Sequence, residues 1–326
     1  VIATPVDELR APLLVAWQLT NRCSAACLAC CEASGRDRAW ADELSRSDAL
    51  RLTQQIIDAG VPYVAFGGGE PLGVAHCWEI FERLASAGVG IKLETDASLI
   101  DAAAADRLAA LPVQCVQISV DGATAPTHEA VRPGSSFASA VGAIERLVAR
   151  GNAPQLVFVP TRLNLHEAIA AYDLADRLGC DAFVTGPLMR LGRAAIHWQT
   201  LACSADEWRL CAQALQQRAQ ERVSRTKLAI YPWDILVELE RRLESPQAML
   251  LVVPNGLVKL MNALPFAAAD LRRDSMSQAW DAYRRAWHSP QVAEFVRACR
   301  SSPELLCHAN ETWAMGEQPA GRQAPH

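Results

Sequence analysis

Between residue 14 and about residue 190, short apolar runs alternate with amphipathic stretches that stop at a glycine, and this alternation constrains the fold more than any other feature. The apolar runs fall at residues 14–19, 63–66, 90–94, 113–119, 155–159 and 182–185, each short enough for a buried strand. Ser47 can cap a helix that carries Leu50, Ile56 and Ile57 inward and stops at Gly60. Residues 76–87, 136–150 and 167–178 repeat the pattern, ending at Gly88, Gly151 and Gly179. Six β-then-α units of this kind predict an α/β fold with a parallel sheet and helices outside it. The unit count and right-handed crossovers favour a partial (β/α)6 TIM-like barrel, with an open doubly wound sheet as the alternative.

Either architecture gathers functional groups just past the C-terminal ends of the strands. The unusual residues of this chain fall there. Cysteines follow the first strand, Gly67-Gly68-Gly69-Glu70-Pro71 the second, Glu94-Thr95-Asp96 the third, Ser119-Val120-Asp121-Gly122 the fourth, and Thr161 to Asn164 the fifth.

After about residue 200 the pattern changes. A charged helical stretch at 206–225 leads to a strand at 227–231, a helix at 234–243, a hairpin over 249–261 turning at Pro254-Asn255-Gly256, and a helix at 275–287. Residues 12–222 read as the barrel core and 223–314 as a small α+β C-terminal extension. The Gly-, Pro- and Gln-rich residues 315–326 read as a disordered tail.

Composition matters mainly through what it excludes. A net charge of -5 gives no electrostatic attraction for nucleic acid or an anionic membrane. No apolar run is long enough to span a bilayer and no signal peptide precedes the first strand, so the expected location is the cytoplasm. The eleven cysteines are then metal ligands or core residues rather than disulfides. Cys77, Cys115 and Cys180 are isolated in apolar surroundings and read as small buried side chains.

Cys23, Cys27, Cys30 and Cys31 are different, since they share one loop. Soft thiolates select zinc, copper(I) or an iron–sulfur cluster. A structural zinc site needs a fourth ligand, which Cys31 or a distant histidine could supply, although no second Cys/His pair has the usual spacing. A [4Fe–4S] cluster ordinarily takes four cysteines, and three leave one iron open to a ligand.

Cys23, Cys27 and Cys30 in Cys-x3-Cys-x2-Cys order resemble the signature of the radical S-adenosylmethionine (SAM) superfamily, and Gly68-Gly69-Glu70-Pro71 resembles its motif for the amino group of SAM. The resemblance implies an enzyme in which the three cysteines hold a [4Fe–4S] cluster and SAM chelates the fourth iron. Reductive cleavage of SAM would then give a 5'-deoxyadenosyl radical that abstracts hydrogen from a substrate. Ile118 to Gly122, with His128 and Arg132, is similar to the subgroup carrying SPASM or twitch extensions, which includes peptide, heme and PQQ maturases. By that likeness Ser119 and Arg132 help hold SAM, and Thr95 and Asp96 lie near its ribose. Thr161, Asn164 and the run from Leu188 to Ala194 match more loosely.

The chain also departs from the family pattern. Ala29 stands where a bulky residue is usual, which leaves Trp17 or Trp40 as candidates for the adenine side, and Cys31 allows a shifted ligand register. In the extension, Ser245 and Met261 occupy positions where auxiliary-cluster cysteines would fall, so a single cluster is expected. Cys203, Cys211, Cys299 and Cys307 leave open a further, unusual metal site. The residues before Cys23 are too few for the winged-helix domain of many peptide maturases, which weighs against a ribosomal peptide. A cofactor precursor, small metabolite or peptide is the expected substrate, with a flavodoxin- or ferredoxin-type electron donor as partner. With no auxiliary cluster expected, rearrangement, epimerisation, carbon–carbon bond formation or SAM-regenerating hydrogen transfer is favoured over oxidation. The alternative is a non-catalytic iron–sulfur or zinc protein used in assembly, sensing or partner binding.

Overall fold

The computed structural model describes residues 6–221 and 224–316. Its strands are β1 (Leu14–Thr20), β2 (Tyr63–Gly68), β3 (Gly90–Thr95), β4 (Val113–Ser119), β5 (Gln155–Phe158), β6 (Ala182–Thr185), β7 (Lys227–Ile230), β8 (Met249–Val252), β9 (Leu257–Lys259), β10 (Phe266–Asp270) and β11 (Trp313–Ala314). The helices are α1 (Arg46–Asp58), α2 (Cys77–Ser86), α3 (Ala102–Ala110), α4 (Ala125–Val131), α5 (Phe137–Val148), α6 (Ala168–Leu178), α7 (Gly192–Ile196), α8 (Trp198–Leu201), α9 (Ala205–Glu221), α10 (Ile235–Glu244), α11 (Met276–Trp287) and α12 (Pro290–Ser301).

All six expected strands form, and they pair in parallel in chain order from β1 to β6. A doubly wound sheet requires the strand order to reverse at a switch point. From β1 to β7 the order does not reverse, so right-handed crossovers place the helices of these units on one face, as in a barrel wall. Helix neighbours agree, with α1 packing on α2, α5 on α3 and α6, and α6 on α9. The strand expected at 227–231 runs Lys227–Ile230 and pairs in parallel with β6. At the opposite edge β8 lies parallel to β1 and continues through antiparallel β9 and β10 to β11. The hairpin expected over 249–261 is the β8–β9 pair. Residues 317–326, most of the expected tail, fall outside the described residues, whereas Gly316 N–H donates to Gln291.

Local signals explain the helix ends. Ser45, rather than Ser47, caps α1 by accepting from Asp48 N at 3.2 Å. Ser136 caps α5, and Gly179 ends α6 in the left-handed region at φ 79°. Ser275 forms a capping box with Gln278 at the start of α11.

Strand parity divides the sheet into two faces. Val15, Trp17 and Leu19 of β1 and Val64 and Phe66 of β2 are buried in the main core. Trp17 stacks toward Phe66 at 5.8 Å, and Phe66 meets Phe81 of α2 at 4.7 Å, so this face carries the helices. The alternate positions include the polar Gln18, Lys92, Glu94, Gln117 and Gln155. Lys92 pairs with Glu94 at 2.7 Å and Gln117 donates to Gln155 at 2.8 Å, giving the inner face a hydrophilic lining.

Candidate cluster and cofactor cleft

The cysteine loop leaves β1 and is tied down on three sides. Cys23 N donates to Gly35 O at 3.0 Å, Ala26 N to Pro133 O at 2.7 Å, and Leu28 N to Val131 O at 2.9 Å. From the far side of the barrel Arg193 donates through Nε to Cys27 O at 2.7 Å and through its terminal nitrogen to Ser34 O at 2.6 Å. Its backbone N–H reaches Cys30 O at 2.9 Å. Gly192 precedes it with φ 53°, and a Cβ there would lie 2.2 Å from Cys31 O. Glycine is therefore needed for this approach. Arg193 was only part of a loosely matching string in the sequence; the signal for it is a Gly-Arg pair beyond the end of β6.

A cavity of about 200 Å³ lies under the loop. It brings together Cys23, Cys27 and Cys30 with Gly68, Gly69, Thr95, Asp96, Ser119 and Arg132. Nine of the thirteen residues proposed from sequence thus share one cleft, with Asp121, Arg193 and Cys31 added to them. Among the described residues no three His, Cys, Asp or Glu side chains close on a point as one metal ion requires. The three thiols are instead spread around a shared hollow, and all eleven cysteines are free. Burial and the nearby Asp96 carboxylate push the Cys23 thiol up to about 12, and burial raises Cys27. Metal binding would have to release these protons.

The glycines fit a close backbone approach. Gly68 has φ 106°, and a Cβ on Gly69 would stand 2.0 Å from Arg22 O. That contact is fixed by Gly69 N donating to Thr20 O at 2.7 Å and Glu70 N to Arg22 O at 2.9 Å.

Glu70 and Pro71 sit behind this surface. The Glu70 side chain, 3% exposed, accepts from Thr95 Oγ1 at 2.8 and 2.9 Å, Asp96 N at 3.0 Å and Leu72 N at 3.1 Å. It ties the end of β2 to the end of β3 and caps the 3₁₀ turn that begins at Pro71. Burial and the adjacent Asp96 push its carboxyl up to about 8. Glu70 also lines a hollow of about 440 Å³ beside Cys23, rimmed by the exposed Arg22 and Arg36.

Asp121 is the hub of the β4 side. It is 1% exposed and accepts from Arg132 at 3.0 Å and from Val159 N at 2.7 Å. Arg132 Nε is buried with no partner, although its side chain lines the cleft. Thr161 and Asn164 are fully buried and do not line the cleft. Asn164 accepts from Thr161 N at 2.6 Å and donates to Asp121 O at 3.1 Å and Val159 O at 3.0 Å, locking the β4 and β5 loops together. Trp17 is also excluded from the cleft, because strand parity turns it into the helix-side core. Trp40 lines a separate cavity.

His128 supports the same hub. Its Nδ1 accepts from Asp121 N at 3.2 Å and its Nε2 faces Ser135 Oγ at 3.1 Å, which suits a neutral ring. Burial and the nearby Arg132 charge depress it to about 4. The unfolded chain therefore takes up this proton at higher pH than the folded one. Stability from this site is complete above about pH 6.5 and is lost as pH falls toward 4, by about 3 kcal/mol for the full shift. Urea unfolding should show this loss between pH 6.5 and 4, and His128→Gln should flatten it.

Three free thiols, a glycine-lined approach and an orphaned guanidinium nitrogen in one cleft fit a thiolate-bound cluster with a polar ligand beside it. A sequence profile described as the Radical SAM superfamily matches residues 17–175. The chain is 39% identical over 194 residues to the mycofactocin maturase MftC of Mycobacterium ulcerans, covering 59% of this chain and 52% of that protein. It is 32% identical over 185 residues to the AdoMet-dependent heme synthase of Methanosarcina barkeri, covering 56% and 52%. The chain spans about half the length of the curated relatives it matches. Among solved structures, Streptococcus suis SuiB bound to precursor peptide SuiA matches with a TM-score of 0.70 and 15% identity over 94% of this chain and 71% of that one. The structure of anSMEcpe with bound AdoMet matches with a TM-score of 0.64 and 14% identity over 91% and 89%. At these identities the likeness shows the fold alone, a partial parallel α/β barrel. Residues 17–175 are thus a radical SAM domain, and the cofactors of that superfamily are a [4Fe–4S] cluster and SAM.

Proposed function

We propose that this chain is an enzyme that cleaves SAM reductively and modifies a peptide or cofactor precursor by hydrogen abstraction. The observation that carries this reading is the cleft itself, where Cys23, Cys27 and Cys30 meet the residues proposed for SAM. Cys23, Cys27 and Cys30 would be the cluster ligands. Bound there, the cluster and SAM would supply the radical chemistry for hydrogen abstraction. Gly68 and Gly69 leave room for the methionine part of SAM, and Ser119, Thr95 and Asp96 offer hydroxyl and carboxylate groups to the rest. Arg132, held by Asp121, presents its unpaired Nε to an anionic group. Glu70 and Pro71 would shape this surface from behind, the Glu70 carboxyl holding Thr95 and Asp96 in place for the cofactor. Thr161 and Asn164 would act from behind by holding Asp121 in place.

Peptide and cofactor precursors are the proposed substrates because MftC is named a maturase and further relatives are named a heme synthase and an Fe-coproporphyrin III synthase. The hairpin and α11 support reading the residues after 223 as a SPASM/twitch-like extension. Ser245 and Met261, which are not cluster ligands, support a single cluster. Arg22 and Arg36 beside Cys23 form a basic edge suited to an acidic flavodoxin- or ferredoxin-type donor. A cytoplasmic location is proposed on the oxygen- and reductant-dependence of such chemistry; among the described residues no helix is long and apolar enough to cross a membrane.

Replacing Cys23, Cys27 and Cys30 together by Ala should lower the iron of the anaerobically reconstituted chain from about four per chain to near zero, since these thiolates would be the protein's ligands to the cluster. Retained iron and an unchanged visible spectrum would refute the ligand assignment and point to Cys31 or the C-terminal cysteines.

A further inference from the structure

A second cavity, of about 390 Å³, lies on the other side of the cysteine loop. Its walls are Gln18 of β1, the stretch from Glu32 to Trp40, Val253 and Lys259 of the hairpin, and Asn310. It adjoins the cluster cleft, because Glu32 lines both.

Lys259 is the unusual member. It is 4% exposed, at the end of β9, where an uncompensated ammonium is unfavourable. Its Nζ donates to the Ala309 carbonyl, which leaves two further donor hydrogens. Among the described residues no carboxylate lies within 4 Å of it. Glu32, the nearest acidic group of the cavity, is engaged by Asn262 at 3.1 Å and sits 3.6 Å from Cys31 Sγ. Glu311 accepts from Trp313 Nε1 at 2.8 Å and lies 2.8 Å from His308 Nδ1. Burial pulls the Lys259 ammonium down to about 8 despite both acids, so its charge is under-compensated. Asn310, in the same wall, has a buried amide nitrogen with no partner. Buried charges persist in proteins when something pairs them, and here the protein supplies one carbonyl and a polar wall that includes Asn310.

We infer that this second cavity binds a carboxylate of the substrate, with Lys259 as its anchor and Asn310 as a second donor, so that the rest of the substrate passes Glu32 toward the cluster cleft. This rests on the proposed function for the identity of the neighbouring cleft as the reaction site. It names the substrate class: a molecule with a carboxylate set apart from its reacting position. A peptide C-terminus and a propionate side chain of a tetrapyrrole both provide that group.

The test compares acids with their neutral counterparts on the full reconstituted chain. The probes are N-acetyl-Ala-Ala-Phe with its C-terminal amide, and coproporphyrin III with its tetramethyl ester. Binding is measured by calorimetry or fluorescence quenching. At least one acid should bind ten-fold or more tightly than its neutral partner, and the pair that discriminates identifies the source of the carboxylate. Lys259→Met should remove the discrimination, while Lys259→Arg, which keeps the charge, should retain part of it. Lys259→Met replaces a buried charge by an apolar chain of similar length and should raise the melting temperature of the ligand-free chain. Equal binding of acid and neutral forms in both pairs, or discrimination that survives Lys259→Met, would overturn the inference. SAM cleavage by the unaltered chain is a separate readout, so loss of that activity with carboxylate discrimination intact would defeat the proposed function and leave this site standing.

Discussion

Asp121→Ala should destabilise the chain by about 3–5 kcal/mol, because it strands a mostly buried guanidinium. The Arg132 side chain is 13% exposed, and the Asp121 carboxylate is the acidic partner within ion-pair distance among the described residues. Burial works against the arginine charge, yet Cys27 and Asp121 together hold its pKa above the ordinary value. The same substitution frees the part-buried Val159 N, which donates to Asp121 Oδ1, and its lost hydrogen bond adds to the effect. Asp121→Asn retains an acceptor for Val159 N but turns an amide donor toward Arg132, so a smaller loss is expected. Urea denaturation of the three proteins checks the order: wild type most stable, Asn intermediate, Ala least. If Ala and Asn variants match wild type, Asp121 is not the hub that holds Arg132 in the cleft.

Gly69→Ala should have a comparable effect for a steric reason. The added methyl would sit 2.0 Å from Arg22 O and 2.6 Å from Arg22 C, both backbone atoms that cannot rotate away. Relief requires β1 and β2 to part where Gly69 N meets Thr20 O and Glu70 N meets Arg22 O. Overpacking with the loss of these two hydrogen bonds amounts to about 4 kcal/mol. Cys23 follows Arg22 directly, so iron incorporation should fall with stability. Gly67→Ala is the control, since its methyl would meet only the Glu94 side chain at 3.2 Å, and a change under about 1 kcal/mol is expected. Equal melting temperatures for the two variants would contradict the tight crossing at Gly69.

Much of this arrangement is legible in the sequence because the periodic segments mark where the loops must be. The six strands and their following glycines place Cys23, Gly69, Asp96 and Ser119 at one end of the sheet without any knowledge of contacts. Strand parity was available too: Val15, Trp17 and Leu19 alternate with Ala16 and Gln18, which assigns Trp17 to the core and removes it from the adenine side. Other features depend on distance across the fold. Glu70 reads as a ligand carboxylate from its motif, but its oxygens meet Thr95, Asp96 and Leu72 only after β2 and β3 pair. Thr161 and Asn164 follow a strand end as a ligand residue would, yet their polar atoms are consumed in bridging two loops. Arg193 is 163 residues from Cys30, and the Gly-Arg pair marks a tight turn without revealing its grip on the cysteine loop. The strand at Lys227–Ile230 is readable from its apolar run, whereas its pairing with β6 is set by the path of α9.

The central claim is that the cysteine cleft supports reductive cleavage of SAM. The most direct measurement is 5'-deoxyadenosine formed by the anaerobically reconstituted chain given SAM and dithionite, with the Cys23, Cys27 and Cys30 triple Ala variant alongside. Formation of 5'-deoxyadenosine by the wild type, and none by the variant, is the expected result. A wild-type chain carrying four irons that binds SAM and forms no 5'-deoxyadenosine would contradict it.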